Sequence, residues 1–460
     1  MQVCKVCLPN KPMPLVSVNP ATGRLLKRHR AHTPAQVSSA LAAAHAAFLD
    51  WRETALSTRV RFLRSVAATL RKQNAALARL ITAEMGKPLA DASAEIEKCA
   101  VCCDFYAQHS ARFLKPVRPV AAPKNAEVVF DPLGVILAIM PWNYPFWQAF
   151  RAAVPALMAG NTVLLKHASN VSGCALAIER VFSVAGAPRN LLRTLLVSSK
   201  TIPALTKDPR VRGVTLTGST AAGRQVAALA GAALKPCVLE LGGSDPYLVL
   251  ADADLDLAAG VCAAARLVNA GQSCVAAKRF IVVEKVRPAF EEKLAARMVA
   301  LSPSLGPLAR ADLRAELHAQ VQKSVRLGAR LLLGGRLPPK KSPGCFYPAT
   351  ILSGVRPGMP ACDEELFGPV AAVISARDEA DALRIANGTA YGLGSAIFSR
   401  NIRRARALAR RLDAGMVSIN SSVVSNSSLP FGGTKSSGLG RELGEFGARA
   451  FVNIKTVSRA

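Results

Sequence analysis

The chain has 460 residues, of which half are hydrophobic and 19% are charged. This balance is typical of a well-packed globular protein and argues against intrinsic disorder, and the length predicts two domains. The 59 lysines and arginines against 30 aspartates and glutamates give a net charge of +29, an excess that attracts nucleic acid, anionic membranes or acidic metabolites.

The N-terminal residues 1–20 carry no recognisable targeting signal. They hold two lysines, two cysteines and four prolines, with neither an apolar signal core nor an arginine-rich amphipathic pattern. Apolar runs elsewhere, such as Val135 to Met140, are too short to span a bilayer. We therefore predict a cytoplasmic protein that does not enter a membrane.

The first long predicted element is helical. From Thr33 to about His109 the chain is rich in alanine, and apolar residues recur three and four apart, as in Leu41, Ala44 and Phe48. A proline-rich stretch, Pro116 to Asp131, comes next and is predicted to form a hairpin or an arm.

Short β-type runs then alternate with helical ones. Strands are predicted at 135–139, 162–165, 191–197, 213–216 and 237–241, with helices at 146–158, 174–185, 201–207 and 221–233. A second block follows Gly243, with helices at 258–270, 287–300 and 310–327 and strands at 280–283, 330–333, 371–374 and 415–419. The alternation predicts βαβ units in parallel sheets, with ligands at the carboxyl ends of the strands. The boundary near Gly242-Gly243 is interpreted as a domain hinge.

Basic residues are spread over these elements instead of forming one module. Arg403, Arg404 and Arg406 stand at helical spacing beside alanine and leucine, which predicts the solvated face of a helix. No recognised nucleic-acid module accompanies such clusters, so we expect no nucleic-acid partner. A general anion-attracting field would suit an anionic substrate and a dinucleotide.

The eleven cysteines show no framework of a secreted, disulfide-bonded domain. Two C-x-x-C pairs, Cys4/Cys7 and Cys99/Cys102, are separated far more widely than the halves of a zinc ribbon. The six histidines include no i, i+4 ligand pair. We expect reduced, structural thiols and no metal site.

One further cysteine and a carboxylate suggest covalent chemistry on a carbonyl. Cys274 ends the run Asn269-Ala270-Gly271-Gln272-Ser273-Cys274, and Glu240 stands upstream in Leu239-Glu240-Leu241-Gly242-Gly243. A thiolate attacks an aldehyde, and a carboxylate then activates the water that frees the acyl group. Each residue also has a plainer interpretation, because a lone cysteine is usually a small buried hydrophobe and the glutamate would equally end a strand facing solvent.

Three other segments carry polar groups at predicted strand ends. Asn143, between Pro141 and Pro145, is placed to donate to an oxyanion, although turn asparagines more often satisfy their own backbone. Lys166 ends a strand, where a cation meets a ribose or phosphate. The small residues of 217–223 suit a phosphate at a helix N-terminus, although Ser219 would also serve as a simple helix cap.

Together these segments resemble the NAD(P)-dependent aldehyde dehydrogenase family, over nearly the whole chain from about Val18. The matching runs are Pro141-Trp142-Asn143-Tyr144-Pro145, Leu165-Lys166, Thr217-Gly218-Ser219-Thr220, Leu239-Glu240-Leu241-Gly242-Gly243, Gly271-Gln272-Ser273-Cys274, Glu364-Glu365-Leu366-Phe367-Gly368-Pro369 and Pro430-Phe431-Gly432-Gly433. Within the family the chain looks most like the short succinate-semialdehyde dehydrogenases, on runs that include Leu165-Lys166-His167-Ala168 and Ala276-Ala277-Lys278-Arg279-Phe280.

The resemblance implies an α/β fold with a Rossmann-type cofactor domain, an α/β catalytic domain and a small β oligomerisation arm. We assign residues 1–114 and 132–242 to the cofactor domain, 243–436 to the catalytic domain, and 115–131 and 437–460 to the arm and the C-terminal segment. The arm and the C-terminal strand match segments that pair between subunits, which implies a homodimer or a homotetramer.

The resemblance also implies roles for individual residues. Cys274 would be the nucleophile, Glu240 the base that activates water, and Asn143 the oxyanion donor. The residues expected to hold NAD or NADP are Trp142, Lys166, Ser169, Gly218, Ser219, Leu241, Glu365 and Phe367.

Substrate and coenzyme choice depend on fewer residues. Arg279 or Lys278 is expected to pair with a distal carboxylate of the aldehyde, with Ser427 and Ser428 adding hydrogen bonds, although Arg279 would equally form a structural ion pair. Ser169 stands where a glutamate would repel the 2′-phosphate, so we expect NADP to be accepted.

The expected reaction is oxidation of succinate semialdehyde to succinate. A broader aldehyde range, or glutarate semialdehyde, is the alternative within the family. A catalytically inactive basic binding protein of the same fold is the alternative outside it.

Overall fold

Three long helices begin the described part of the chain, after a hairpin of β1 (Val16–Val18) and β2 (Leu25–Arg28). The computed structural model describes residues 15–123, 125–339 and 342–459, so Cys4 and Cys7 lie outside the described residues. The helices are α1 (Pro34–Trp51), α2 (Leu56–Met85) and α3 (Leu89–Phe113). The predicted helical region is therefore helical, but it is broken twice.

The breaks have local causes. Thr33 begins α1 with a capping box, in which its hydroxyl accepts from the Gln36 amide and the Gln36 side chain accepts from the Thr33 amide. Gly86 ends α2 with a φ of +84°, the left-handed conformation that terminates helices. Pro88 follows two positions later and is the N-cap of α3.

The next block forms a six-stranded sheet. Its elements, after β3 (Ala126–Pro132), are β4 (Val135–Met140), α4 (Pro145–Ala159), β5 (Thr162–His167), α5 (Ser172–Val184), β6 (Leu192–Thr194), α6 (Ile202–Lys207), β7 (Val211–Thr217), α7 (Thr220–Ala232) and β8 (Cys237–Glu240). The central strands and all of α4 are almost fully buried, because helices cover both faces of a parallel sheet. The predicted strand at 191–197 is shorter in the structure than in the sequence-based prediction.

The strand order of this sheet creates a crevice. The order is β16-β8-β7-β4-β5-β6, in which β16 is the later strand Gly438–Leu439. The chain therefore moves outward from β4 through β5 to β6 and then returns to the other side of β4 as β7. Loops that leave the carboxyl ends of β4 and β7 therefore diverge, and α/β sheets bind ligands at such a switch point.

A seven-stranded sheet follows Gly243. Its elements are β9 (Pro246–Val249), α8 (Leu255–Leu267), β10 (Arg279–Val283), α9 (Arg287–Leu301), α10 (Ala311–Arg326), β11 (Arg330–Leu333), β12 (Thr350–Ser353), α11 (Pro360–Asp363), β13 (Val370–Ala376), α12 (Glu379–Asn387), β14 (Gly394–Phe398), α13 (Ile402–Ala409) and β15 (Met416–Ile419). The order is β11-β12-β13-β10-β9-β14-β15, with β11 alone antiparallel to its neighbour. The sequence pattern did not predict β9, β12 or β14, which are buried runs of four or five residues and too short to show a period.

The last elements are β16 (Gly438–Leu439), α14 (Gly444–Ala448) and β17 (Val452–Ser458). β17 pairs antiparallel with β3 from Val452↔Pro132 to Ser458↔Ala126, so the two predicted arm segments meet within one chain. β16 joins the six-stranded sheet beside β8. The α/β fold class is confirmed by the solved structures reported below. The domain limits stay a prediction.

No helix within the described ranges is long and apolar enough to cross a membrane.

Candidate functional site

A cavity of about 440 Å³ opens at the switch point of the six-stranded sheet. Its wall combines loops that follow β4, β7 and β8 with the loop that carries Cys274. The residues singled out in the sequence that line it are Trp142, Asn143, Gly218, Ser219, Leu241, Cys274, Glu365 and Phe367. The topology therefore brings together residues that are far apart in the chain.

The loop before Cys274 makes a left-handed turn. Asn269, Ala270 and Gly271 have φ values of +54°, +53° and +74°, and for a residue such as Ala270 that conformation costs about 1–2 kcal/mol. A Cβ added at Gly271 would overlap the carbonyl group of Gly368. The loop is therefore pressed against the segment that also carries Glu365.

Buried side chains hold this loop through its carbonyl groups. Arg266 Nη2 donates to the carbonyl of Gly271 at 2.7 Å, and Lys278 Nζ donates to that of Cys274 at 2.7 Å. Asn269 Nδ2 donates to the backbone carbonyl of Asn143 at 2.8 Å. The position of Cys274 relative to Asn143 is therefore fixed by hydrogen bonds between the two loops.

Asn143 has spare donor capacity toward the cavity. Its side-chain Nδ2 donates to the carbonyl of Gln272 at 3.1 Å, and its Oδ1 has no hydrogen-bond partner. A primary amide carries two N–H groups, so one remains after the bond to Gln272. That geometry suits a donor to an oxyanion formed at the neighbouring Cys274.

Cys274 is surrounded by protein, and this burial disfavours the thiolate form of its side chain. Burial raises its pKa to about 11, while the positive charges of Arg151 and Lys278 act in the opposite direction. Since only the thiolate is a strong nucleophile, the rate of attack depends on these two cations.

Glu240, at the end of β8, is buried, and neither of its carboxylate oxygens has a hydrogen-bond partner within the described chain. A Cβ added at Gly432 would lie 2.7 Å from Glu240 Oε1, so that glycine leaves the carboxylate its space. Burial raises the pKa of Glu240, as does the charge of Glu442, whereas Arg151 lowers it. A buried carboxylate with a raised pKa and free oxygens is suited to take a proton from water.

Arg151 and Glu442 are two residues of this centre that the sequence reasoning missed. Arg151 lies on α4, forms an ion pair with Glu442, donates to Thr217 Oγ1 at 3.3 Å and stacks 4.4 Å from the centroid of Phe431. The available signal was the single charged residue in the otherwise apolar helix at 146–158. Glu442 carried no comparable signal.

The opposite side of the cavity has the features of a dinucleotide site. Trp142 and Phe367 meet edge to face, with ring centroids 5.7 Å apart. Ser219 caps α7 by accepting from the amide of Ala222 at 3.3 Å, and α7 is long enough for its N-terminus to favour a phosphate. The helix cap formed by Ser219 is therefore compatible with a phosphate bound at the N-terminus of α7.

Glu365 is anchored beside this surface. Its Oε1 accepts from the amide of Gly243 at 3.0 Å and lies 3.3 Å from Lys278 Nζ. A Cβ at Gly242 would overlap Glu365 Oε2, so the glycine allows the carboxylate to approach the backbone.

Lys166 and Ser169 lie apart from the residues that line the cavity, at the carboxyl end of the adjacent strand β5. Lys166 pairs in register with Ile139 of β4 and forms no ion pair within the described chain. Burial lowers its pKa. Ser169 begins the turn after β5, where its carbonyl accepts from Ser172 Oγ at 2.9 Å. A cation with no carboxylate partner beside an uncharged serine fits a phosphate group, so this end of the site suits a dinucleotide.

The structure does not bring the expected substrate residues Arg279 and Lys278 to the cavity. The guanidinium of Arg279 is fully buried and donates to the carbonyls of Ser244, Ile385 and Ala386 at 2.9, 3.1 and 3.0 Å. Lys278 is likewise occupied by carbonyl groups and Glu365. Contrary to the expectation, both are structural in this geometry, because burial leaves them no open donor surface.

The two serines expected at the substrate differ in environment. Ser427 is buried beside Cys102 of α3, whereas Ser428 is exposed and donates to Asn426 Oδ1 at 2.9 Å. Their role at the substrate stays a prediction.

Among the described residues no group of three histidine, cysteine, aspartate or glutamate side chains is placed to hold a metal ion. Cys99 and Cys102 are buried on α3, where burial raises the pKa of both thiols.

Comparison with known proteins gives a consistent result. The model of the aldehyde dehydrogenase family matches residues 9–457. The chain is 47% identical over 450 residues to succinate semialdehyde dehydrogenase [NAD(P)+] Sad of Escherichia coli (strain K12), covering 96% of this chain and 97% of that protein. It is 45% identical over 456 residues to succinate-semialdehyde dehydrogenase [NADP(+)] 1 of Mycobacterium bovis (strain BCG / Pasteur 1173P2), covering 97% and 99%.

A solved structure agrees with these relatives. The crystal structure of succinic semialdehyde dehydrogenase from Streptococcus pyogenes in complex with NADP+ superposes with a TM-score of 0.93 at 36% identity. The superposition covers 96% of this chain and 99% of that one.

Proposed function

The chain belongs to the aldehyde dehydrogenase family and is an NAD(P)-dependent oxidoreductase, and from that premise we propose that it oxidises succinate semialdehyde to succinate. Two relatives at 45–47% identity carry that substrate in their names. The observation that carries the reaction is the placement of Cys274 and Asn143 in one cavity, with the unpartnered carboxylate of Glu240 at the end of the adjacent strand.

The reaction begins at Cys274. The thiol first releases its proton to water, and the thiolate then attacks the aldehyde carbon, forming a carbon–sulfur bond and moving an electron pair onto the carbonyl oxygen. The free N–H of the Asn143 side chain and the backbone N–H of Cys274 are the donors proposed for that oxyanion, a contribution of about 3–4 kcal/mol in comparable sites.

Oxidation requires the coenzyme. Its proposed binding surface consists of Trp142, Phe367, Glu365 and the N-terminus of α7. Bound NAD(P) would supply the acceptor for the hydride that leaves the substrate carbon. The acyl group is then held on Cys274 as a thioester. The left-handed turn before Cys274 keeps its sulfur in place through this step.

Glu240 completes the cycle. Its carboxylate takes a proton from a water molecule, the resulting hydroxide attacks the thioester carbon, and the carbon–sulfur bond breaks to return the Cys274 thiolate. The raised pKa of Glu240 makes it a stronger base than an exposed carboxylate. Arg151, whose charge acts on both Cys274 and Glu240, favours the two anionic forms.

We propose that NADP is preferred to NAD. The support is that Ser169, which carries no charge, follows Lys166 by three positions, and that Lys166 has no carboxylate partner within the described chain. The Mycobacterium bovis relative and the Streptococcus pyogenes structure both carry NADP in their names.

A panel of aldehydes tests the proposed substrate. The purified enzyme is assayed at the absorbance of NADPH with succinate semialdehyde, glutarate semialdehyde, butanal and benzaldehyde, and Cys274→Ser serves as the control. The highest kcat/KM is expected for succinate semialdehyde, with no activity in the control. A higher value for glutarate semialdehyde, or equal values throughout, would favour the alternative substrates named above, and activity in Cys274→Ser would overturn the mechanism.

The cytoplasmic location and the homodimer or homotetramer stay predictions. The antiparallel pairing of β3 with β17 supports the second, because β17 exposes the apolar side chains of Ile454 and Val457, one on each face of the strand.

A further inference from the structure

The loop that carries Asn143 has open space on two sides. Asn143 lines the first cavity, and the next residue, Tyr144, lines a second cavity of about 380 Å³. Close packing of the surrounding side chains normally fixes the position of a loop in the interior, and a loop between two cavities lacks part of that packing. The direction in which the Asn143 amide points therefore depends on polar contacts at the ends of the loop.

One end of this loop is the start of α4, whose first N–H groups need acceptors. The N-cap residue Tyr144 makes no capping hydrogen bond through its side chain, and the first helical residue, Pro145, has no N–H group. The next two amides, those of Phe146 and Trp147, both donate to Oε1 of Glu95, at 2.8 and 3.0 Å. A carboxylate on α3 therefore caps α4, where a negative charge also favours the positive end of the helix dipole.

The other oxygen of Glu95 connects the same loop to Lys87. Oε2 of Glu95 forms an ion pair with Lys87 Nζ, which also lies 3.6 Å from the centroid of the Tyr144 ring. Lys87 is 1% exposed and Glu95 is 3% exposed, and such a pair resists separation because each charge would be left unpaired away from water. The pair therefore holds the loop at two places, the N-terminus of α4 and the ring of Tyr144.

Asn143 lies between these contacts and the loop of the nucleophile. Its backbone carbonyl accepts from Asn269 Nδ2 at 2.8 Å, and its side-chain Nδ2 donates to the carbonyl of Gln272 at 3.1 Å. Asn143 is thus held on one side by the loop of Cys274 and on the other by the capped start of α4. The residues that line the first cavity do not include Glu95 or Lys87, so the pair acts on the reaction through other residues.

We propose that Glu95 and Lys87 are positioning residues for Asn143, because they hold its amide toward the oxyanion of the substrate. This inference rests on the proposed function, since the oxyanion forms when Cys274 attacks the aldehyde. Attack and hydrolysis of the thioester both pass through an oxyanion, so loss of the pair slows both steps. Removal of one such donor lowers rates about 10²–10³-fold, and displacement of the donor has a smaller effect of the same kind.

The test uses rapid mixing with saturating NADP and the aldehyde of the panel that has the highest kcat/KM. In Glu95→Ala the first amides of α4 lose their acceptor, and the rate of the NADPH burst is expected to fall about tenfold or more. Glu95→Gln keeps an acceptor oxygen for those amides and should slow the burst by less than about threefold. Alkylation of Cys274 by iodoacetamide forms no oxyanion, so its rate should change by less than about twofold in both variants.

A double-mutant cycle separates positioning from a general structural role. In Asn143→Ala the donor is absent, so adding Glu95→Ala should slow the burst by less than about a further twofold. An equal factor in the two backgrounds, or an unchanged burst in Glu95→Ala, would overturn the proposal. If Glu95→Ala does not fold, Glu95→Gln combined with Lys87→Met removes both buried charges together, and the same cycle applies to that pair.

Glu97→Gln is the matched control on the same helix. The Glu97 side chain is 46% exposed and pairs with Arg71 of α2, so it makes no contact with the start of α4. The burst rate in this variant should equal that of the unaltered enzyme. A loss as large as that in Glu95→Ala would mean that any weakening of α3 slows the reaction, and it would overturn the specific role of Glu95.

Failure of the proposed function is recognised separately. A burst in Asn143→Ala as fast as in the unaltered enzyme would show that Asn143 is not the oxyanion donor, which overturns the proposed mechanism together with this inference. If no aldehyde of the panel yields NADPH, hydrogen exchange of residues 144–147, followed by mass spectrometry, still tests the contacts. Faster exchange in Glu95→Ala but not in Glu97→Gln supports them, and unchanged exchange overturns them.

Discussion

The ammonium of Lys278 joins the nucleophile to the proposed coenzyme surface: it donates to the backbone carbonyl of Cys274 at 2.7 Å and lies 3.3 Å from Glu365 Oε1. Lys278 stands four positions after Cys274 and directly before β10. One buried cation thus positions the loop of Cys274 and balances the charge of Glu365.

Replacing Lys278 by methionine should weaken both functions. The loss of a nearby cation raises the pKa of Cys274, so iodoacetamide should alkylate the thiol about tenfold more slowly at pH 8. KM for NADP should rise as well, because Glu365 loses its partner. Lys293→Met, which removes an exposed pair with Asp256, is the control, and an unchanged alkylation rate in a folded Lys278→Met would contradict the argument.

Glu240→Gln should separate the two halves of the reaction. Attack and oxidation do not require the carboxylate, whereas hydrolysis of the thioester does. Rapid mixing should therefore show a burst of NADPH close to one per active site, followed by a steady rate about 10²–10⁴-fold lower. If the burst disappears along with the steady rate, Glu240 acts before hydrolysis and its assigned step is wrong.

The turn before Cys274 should tolerate no side chain at Gly271. Gly271→Ala combines a φ of +74° with overlap against Gly368, and we expect the free energy of unfolding to fall by about 2–5 kcal/mol. Gly260→Ala, in the middle of α8 with nothing within 4 Å of the added Cβ, should instead stabilise the protein by about 0.5–1 kcal/mol. Urea unfolding measures both, and equal midpoints for the two variants would refute the account of the turn.

Coenzyme choice should change with one residue after β5. In Ser169→Glu the new carboxylate would neutralise Lys166 and repel the 2′-phosphate, so KM for NADP should rise about tenfold or more while KM for NAD stays the same or falls. Ser199→Glu, at another exposed turn, is the matched control. Initial rates with both coenzymes decide the matter, and an unchanged NADP-to-NAD ratio would exclude Ser169 from the site.

Buried thiols should make the fold sensitive to alkaline pH. Burial raises the pKa of Cys99, Cys103 and Cys262 well above normal and that of Cys102 to about 12. Above the ordinary thiol pKa the unfolded chain releases these protons while the folded chain keeps them, so stability falls as pH rises. Each thiol contributes about 1.4 kcal/mol per pH unit in that window.

Thermal unfolding at pH 8, 9 and 10 measures this effect. Cys102→Ala should show a smaller decline in Tm over the range than the unaltered chain, even if its Tm at pH 8 is lower. Parallel declines in the two proteins would mean that other groups control the alkaline transition.

The strands of the first sheet, and the motifs that contain the proposed catalytic residues, could be identified in the sequence because both depend on local patterns. The five predicted strands before Gly243 correspond to strands of the structure, and Cys274, Asn143 and Glu240 stand in motifs of a few residues. The family itself, its fold and its NAD(P)-dependent oxidation of aldehydes were confirmed by the comparisons.

Features of the site that depend on contacts between distant segments could not be predicted from the sequence. Arg151 and Glu442 pair across nearly three hundred positions, and Glu95 meets Phe146 across 51 positions. Arg279 looked suited to the substrate because it is close to Cys274 in sequence. Its burial against three carbonyl groups is a property of tertiary packing, which spacing along the chain does not encode.

The contact of Gly271 with Gly368 has a consequence for how such an enzyme can diversify. Because the nucleophile loop is pressed against another backbone and tied by its carbonyls, it has no room to adapt to a new aldehyde. Variation in substrate must therefore arise at other positions in the wall of the cavity. Libraries intended to change the aldehyde range should leave residues 269–274 intact.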